Sequence, residues 1–198
     1  MAIGKKIGIL TGGGDVPGLN SVIKAVVYRA SHMDRQVIGI RRGWEGLSHM
    51  NPALDNDPAY IWPLTREETR TIDRTGGTIL HSSRTNPKRT PKNKVPAHIS
   101  ASELSKLQTE GNYYDFTSIV LRNLEQLGIG CLIVIGGDDT LSYASWLSRA
   151  GVPLIAIPKT MDNDVRGTEY CIGFSTAVTR AKELVTRQRT ILGSHERM

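Results

Sequence analysis

Short apolar runs and longer amphipathic stretches alternate along most of this chain. "KIGIL" (6–10) is short, continuous and apolar at its centre, and "TGGGDVPG" ends it, which predicts a buried strand followed by a turn. In "LNSVIKAVVYRA" (19–30), Leu19, Val22, Ile23, Val26 and Val27 recur at helical spacing and predict an amphipathic helix. "QVIGI" (36–40) returns to the strand pattern. Strand, helix and strand in this order favour a parallel sheet with helices on its faces.

The periodicity then fades. From Arg41 to about Pro96 the sequence runs through tryptophans, prolines, glycines and charged residues, with a helix expected near 65–74. A connection this long is expected to be a functional loop region carrying short elements of its own. Regular patterning resumes at "FTSIVLRNLEQLG" (116–128), where Ile119, Val120, Leu124 and Leu127 share one helical face and Gly128 stops the helix. "CLIVI" (131–135) predicts a central strand, "TLSYASWLSRAG" (140–151) a helix, "VPLIAI" (152–157) a strand and "STAVTRAKELVTRQRTILG" (175–193) a last helix. The fold class expected is α/β, a three-layer, Rossmann-like, mostly parallel sheet with helices on both faces.

Composition narrows the picture without deciding it. At 198 residues and 39% hydrophobic, the chain is long enough to bury one core. Two cysteines, Cys131 and Cys171, are too few for a disulfide framework and suit a reducing compartment. The lysine pair near the N-terminus precedes only four apolar residues, so no signal peptide is read there, and no run has the length of a membrane span. A soluble cytoplasmic protein is the expectation. The 25 basic residues exceed the 19 acidic ones by six. Arg84, Lys88, Arg89, Lys92 and Lys94 concentrate in "RTNPKRTPKNK", which reads as a solvated loop, a phosphate-facing loop or, lacking aromatics to stack bases, a weaker nucleic-acid patch.

Candidate chemistry lies where the strands should end. In an open parallel sheet, ligands bind outside the carboxyl ends of the strands, where helix N-termini favour anions. "TGGGDVPGLN" is neither a Walker loop nor G-x-G-x-x-G, yet Gly12, Gly13 and Gly14 allow backbone N–H groups to approach a phosphate; a tight turn explains the same glycines. "GGDDT" (136–140) and "PKTMDND" (158–164) end the next two strands, and if those strands are neighbours Asp138, Asp139, Asp162 and Asp164 crowd one cleft. Four carboxylates repel one another unless cations share the space, so a hard, oxygen-ligated ion such as Mg²⁺ is expected, with Lys159 offsetting more charge.

Taken in order, "KKIGILTGGGDVPGLNSVIKAVV", "GGTILHSSRTNP", "VIGGDDTLSYA", "IPKTMDNDVRGTEYCIGFSTA" and "SHER" resemble the phosphofructokinase family over nearly the whole chain. The resemblance implies phosphoryl transfer to the 1-hydroxyl of fructose 6-phosphate, with Asp162 as general base and Asp138 as the Mg²⁺ residue. It implies Gly13 and Arg84 at the donor's phosphates. Thr160, Met161 and Asp162 fall in the segment that holds the sugar phosphate, and Arg197 resembles an arginine that reaches the sugar phosphate of a neighbouring subunit, which implies a homo-oligomer. Where ATP-using members carry glycine, this chain has Asp139, whose bulk and charge disfavour the nucleotide's α-phosphate region. The resemblance therefore implies the pyrophosphate-dependent branch, with Lys159 as a cation for the smaller donor and Asp139 and Lys159 both counted in the catalytic set.

Alternatives are an ATP-dependent 6-phosphofructokinase, a "GGDGT"-type kinase acting on other substrates, and a non-catalytic phosphate-binding module. Neither nucleic acid nor membrane is expected as a partner. The family pattern continues past "SHERM", so residues 1–198 are expected to form the N-terminal donor-binding domain, with the sugar-phosphate domain absent from this chain. The chain by itself is then expected to lack turnover and to expose apolar surface on the 175–193 helix.

Overall fold

The computed structural model describes residues 6–54 and 56–197. A six-stranded sheet organises the chain. β1 (Lys6–Thr11) lies inside it, flanked by β2 (Val37–Ile40) and β6 (Ile129–Gly136). Beyond β2 is β3 (Ile61–Leu64), and beyond β6 are β7 (Leu154–Thr160) and β8 (Ile172–Gly173). Every pairing is parallel except β2–β3. A separate ladder of two short strands, β4 (Thr90–Pro91) and β5 (Tyr113–Tyr114), lies outside this sheet.

The sheet is buried from both sides because its strands carry apolar residues at successive positions. Ile9, Val37, Ile133 and Ile135 face the buried stripe Leu19, Ile23 and Val27 of α1 (Leu19–Ser31). Leu10, Ile38, Ile40, Leu132 and Val134 turn to the other face. There they meet Trp44 and Leu47 of α2 (Trp44–His49), Val120 and Leu124 of α4 (Thr117–Gln126), and Tyr143 and Leu147 of α5 (Asp138–Arg149). The doubly covered sheet follows from the period of two along each strand and the helical stripes on both sides. A smaller cluster joins Ile99, Tyr114, Phe116 and Ile119, with Leu104 of α3 (Ala101–Leu107) packed against it.

Strand order, rather than any one element, creates the site. The chain leaves β1 toward β2 and β3, then returns on β1's opposite side to form β6 and β7. The loops after β1 and β6 therefore diverge at a topological switch point, where an open α/β sheet leaves a crevice at its carboxyl edge.

Several element boundaries differ from the sequence expectation. The helix expected near 65–74 is a run of turns ending in a 3₁₀ turn at Ile72–Arg74. Thr65 tightens it instead: its hydroxyl bonds Glu68 Oε2 at 2.8 Å, and the Glu68 carboxylate also takes the Trp62 indole N–H at 3.2 Å. Residues 41–96 contain α2 and β3, neither of which the periodicity specified. Asp138 and Asp139 open α5 rather than preceding it, and β7 runs on through Lys159 and Thr160. The last helix, α6 (Phe174–Ser194), exists over the expected span but buries none of its residues.

Candidate active site

Three segments meet at the carboxyl edge: the glycine loop after β1, the first turn of α5 after β6, and the end of β7. With Arg84, Thr85 and Asn86 they enclose a cavity of about 540 Å³ lined by Gly13, Gly14, Gly137, Asp138, Asp139, Thr140 and Lys159. An apolar groove of about 500 Å³ beside α1, lined by residues such as Val22, Val26, Met33 and Ile133, lacks the convergent polar groups of a substrate site.

Thr140 sets the distance between the first two segments. It is buried beneath both, and a Cβ added at Gly12 would lie 2.6 Å from its Oγ1 and 2.7 Å from its Cγ2. A Cβ at Gly136 would collide with its Cβ and Cγ2. Both glycines are required by this close approach. Beneath Thr140, the fully buried Trp44 donates its indole N–H to the Thr140 carbonyl at 3.2 Å and packs edge-on against Tyr143. Trp44 and Thr140 support the site, yet neither stood out in the sequence; "GWEG" carried no periodic signal.

The glycine loop is anchored on its far side by residues 78–83. Thr11 Oγ1 donates to the His81 carbonyl at 2.9 Å, and Gly13 N–H donates to the Ser83 carbonyl at 2.9 Å. Gly13 has φ 80°, a left-handed conformation that suits glycine. Of the motif "GGTILHSSRTNP", Ser82 and Ser83 thus hold the loop while Arg84 reaches the cavity.

Lys159 crosses the site floor. Only 4% exposed, it donates from Nζ to the Gly14 carbonyl at 2.5 Å. Burial pushes its pKa below the ordinary lysine value of 10.5, with the Arg84 charge acting in the same direction and Asp15 opposing both. Lys159 and Arg84 give the cavity two cations opposite Asp138 and Asp139, which are exposed on the first turn of α5. Acidic residues there also complement the helix dipole, so their position alone has a structural explanation.

The expected crowding of four carboxylates does not occur. Among the described residues, no group of three or more His, Cys, Asp or Glu side chains could hold a metal ion. Asp162 and Asp164 belong to a separate loop after β7. Asn163, at φ 55°, ties that loop down by donating to the Glu169 carbonyl at 3.0 Å and accepting from Cys171 N–H at 2.8 Å. Mg²⁺ still fits the cavity wall, because this ion commonly takes one or two carboxylates and completes its shell with water and substrate phosphate oxygens. Asp138, on the cavity wall, would supply such a carboxylate.

Of the sequence-predicted residues, Gly13, Arg84, Asp138, Asp139 and Lys159 are brought together in the cavity, and Gly14, Thr85, Asn86 and Thr140 join them. Thr160, Met161 and Asp162 follow at the end of β7, outside the lining, with Asp162 N–H donating to Thr160 Oγ1 at 3.1 Å. Arg197 is exposed just past α6 and takes no part in the cavity. The basic stretch divides: Lys88 lies 4.3 Å from the centre of the Trp146 ring and Arg89 4.5 Å from that of Tyr113, so aromatic faces hold both.

Comparisons with known proteins give the family and the fold. A pyrophosphate–fructose 6-phosphate 1-phosphotransferase of Dictyoglomus thermophilum is 38% identical over 193 residues, covering 98% of this chain and 46% of that protein. An ATP-dependent 6-phosphofructokinase of Aquifex aeolicus is 40% identical over 194 residues, covering 98% of this chain and 50% of that protein. The chain spans about half the length of these relatives. A phosphofructokinase structure from Saccharomyces cerevisiae superposes with a TM-score of 0.72 at 23% identity, over 98% of this chain and 24% of that one, a likeness of fold. The family model described as "Phosphofructokinase" matches residues 6–198, and the chain belongs to the phosphofructokinase family.

Proposed function

We propose that this chain carries the phosphoryl-donor site of a pyrophosphate-dependent phosphofructokinase, which phosphorylates the 1-hydroxyl of fructose 6-phosphate. The relatives' names divide between the two donors, so the choice rests on the cavity itself. Asp139 carries it. It lines the cavity next to Asp138, at the position where the family resemblance places a nucleotide donor's α-phosphate region. Two like unit charges about 4 Å apart repel by roughly 1 kcal/mol in water and roughly 4 kcal/mol at an effective dielectric of about 20. That is enough to weaken a ligand by about fivefold to a thousandfold. Pyrophosphate has no α-phosphate or nucleoside to place there, and Lys159 and Arg84 offset its own charge.

The chemistry asked of the residues is alignment and neutralisation. In the transfer, the sugar's oxygen forms a bond to the terminal phosphorus, the bridging P–O bond breaks, and inorganic phosphate leaves. The hydroxyl proton passes to the Asp162 carboxylate. The unspent N–H of the glycine loop, Lys159 and Arg84 hold the donor's oxygens in line. Asp138 would hold Mg²⁺, which when bound neutralises charge on the phosphoryl oxygens.

Donor choice is tested by measuring turnover with fructose 6-phosphate, Mg²⁺ and either donor on the protein as its gene encodes it. Pyrophosphate is expected to be used and ATP to be poor. Asp139→Gly is expected to lower pyrophosphate use and admit ATP. Preference for ATP in the wild type would overturn the reading, and unchanged donor ratios in Asp139→Gly would move the gate elsewhere.

A further inference from the structure

The glycine loop offers fewer phosphate-facing N–H groups than its sequence suggests, and the hydrogen bonds identify one of them. Gly12 N–H is spent on the Ile135 carbonyl and Gly13 N–H on the Ser83 carbonyl, both at 2.9 Å. Gly14 N–H makes no hydrogen bond to any of the described residues. It belongs to the peptide whose carbonyl, that of Gly13, accepts from Ser82 Oγ at 2.5 Å. Among the described residues all peptide bonds are trans, so the N–H points away from whatever holds the carbonyl. Ser82 is half-buried and outside the cavity lining, whereas Gly14 lines the cavity and has no atom within 4 Å of where its Cβ would be.

We infer that Ser82 is a positioning residue for phosphoryl transfer: by holding the Gly13 carbonyl behind the loop, it aims Gly14 N–H at an oxygen of the bound phosphoryl donor. The inference rests on the donor-site reading above and adds to it a residue that never touches the donor. A peptide held this way is ready to donate before the ligand arrives, which is where a fixed N–H gains over a mobile one. Lys159 does the corresponding work at the next carbonyl, that of Gly14. Without the Ser82 hydroxyl, the 13–14 peptide is free to rotate about Gly13 and Gly14, two residues with wide conformational freedom.

The test uses the isotopically labelled 198-residue chain and Mg²⁺-pyrophosphate, with wild type, Ser82→Ala and Ser82→Thr compared by NMR. In the wild type, the Gly14 amide proton is expected to shift on titration. Ser82→Ala is expected to weaken binding by about threefold to tenfold, the worth of one hydrogen bond, and to lose the Gly14 shift. Ser82→Thr, which keeps the hydroxyl, is expected to restore both. Equal affinity and an equal Gly14 shift in Ser82→Ala would overturn the inference. Should the wild type bind no pyrophosphate, the donor reading falls instead. Residual dipolar couplings of Gly14 N–H in the ligand-free chain then decide on Ser82, and identical couplings in wild type and Ser82→Ala would overturn its role.

Discussion

Asp162 and Lys159 stand three residues apart, but β7 treats them differently. Lys159 is the last buried side chain of the strand, and Asp162 lies exposed in the loop beyond it. That contrast suits a fixed cation and an accessible base. Asp162→Asn keeps the shape and removes the proton acceptor, so kcat is expected to fall by about 10² to 10⁴ with KM for fructose 6-phosphate little changed. Steady-state kinetics check this, and near-normal turnover would remove Asp162 from the role of base. Lys159 yields a pH prediction. Its lowered pKa means the ammonium loses its proton below the ordinary 10.5, so donor affinity is expected to decline as pH rises toward that value. Lys159→Arg, which stays charged, should flatten that decline in a plot of donor KM against pH. The residue types at the cavity were legible in the sequence because "GGDD" and "PKTMDND" sit where strands end. The support under them was not: Trp44, Thr140 and Ser82 act through contacts between segments distant in sequence, such as Trp44 with Thr140 across 96 positions.

At the scale of elements, the strands and helices with clean periodicity were readable, and β1, β2, β6, α1 and α4 lie within a few residues of expectation. The helices have one dominant apolar face and the strands are apolar on both, so tertiary packing reinforces the local pattern. The 41–96 region lacked such a face. α2 spans only Trp44–His49, too short for a period to declare itself, and β3 contains Pro63 and pairs antiparallel at the sheet's edge. The Thr140 wedge makes the element-scale argument testable. Gly12→Ala puts a methyl within 2.6 Å of Thr140 Oγ1, and overpacking of this kind commonly costs about 1–3 kcal/mol. In Gly12→Ala with Thr140→Ala the colliding Oγ1 and Cγ2 are gone. The double variant is therefore expected to recover part of the stability lost by Gly12→Ala. Urea unfolding of the four proteins gives the coupling, and strict additivity would mean that the loop moves aside without resistance.

At the scale of the whole molecule, burial is uneven. The sheet is sealed around β1 and β6, while toward β7 and α6 apolar side chains remain in water. Ile155 is 55% exposed, and on α6 Leu184 and Val185 are each 59% and Ile191 63% exposed. On α6 this exposure matches the expectation for the 175–193 helix, although the amphipathic pattern alone does not say whether its stripe is covered. Contiguous apolar surface in a soluble chain promotes association, whereas the formal net charge of +6 opposes it. The two effects separate with salt, because screening weakens repulsion between like-charged copies and leaves apolar contact intact. The 198-residue chain is therefore expected to scatter light above its monomer mass at micromolar concentration, and more strongly as salt is raised from about 0.01 M to about 0.15 M, over which the screening length falls from roughly 30 Å to roughly 8 Å. Val185→Lys with Ile191→Lys is expected to return it toward monomer, since both changes put charge on the exposed stripe without removing a buried contact. A wild-type chain that stays monodisperse across that range would show that the apolar face of α6 is covered in solution. The uneven burial would then not describe the dissolved molecule.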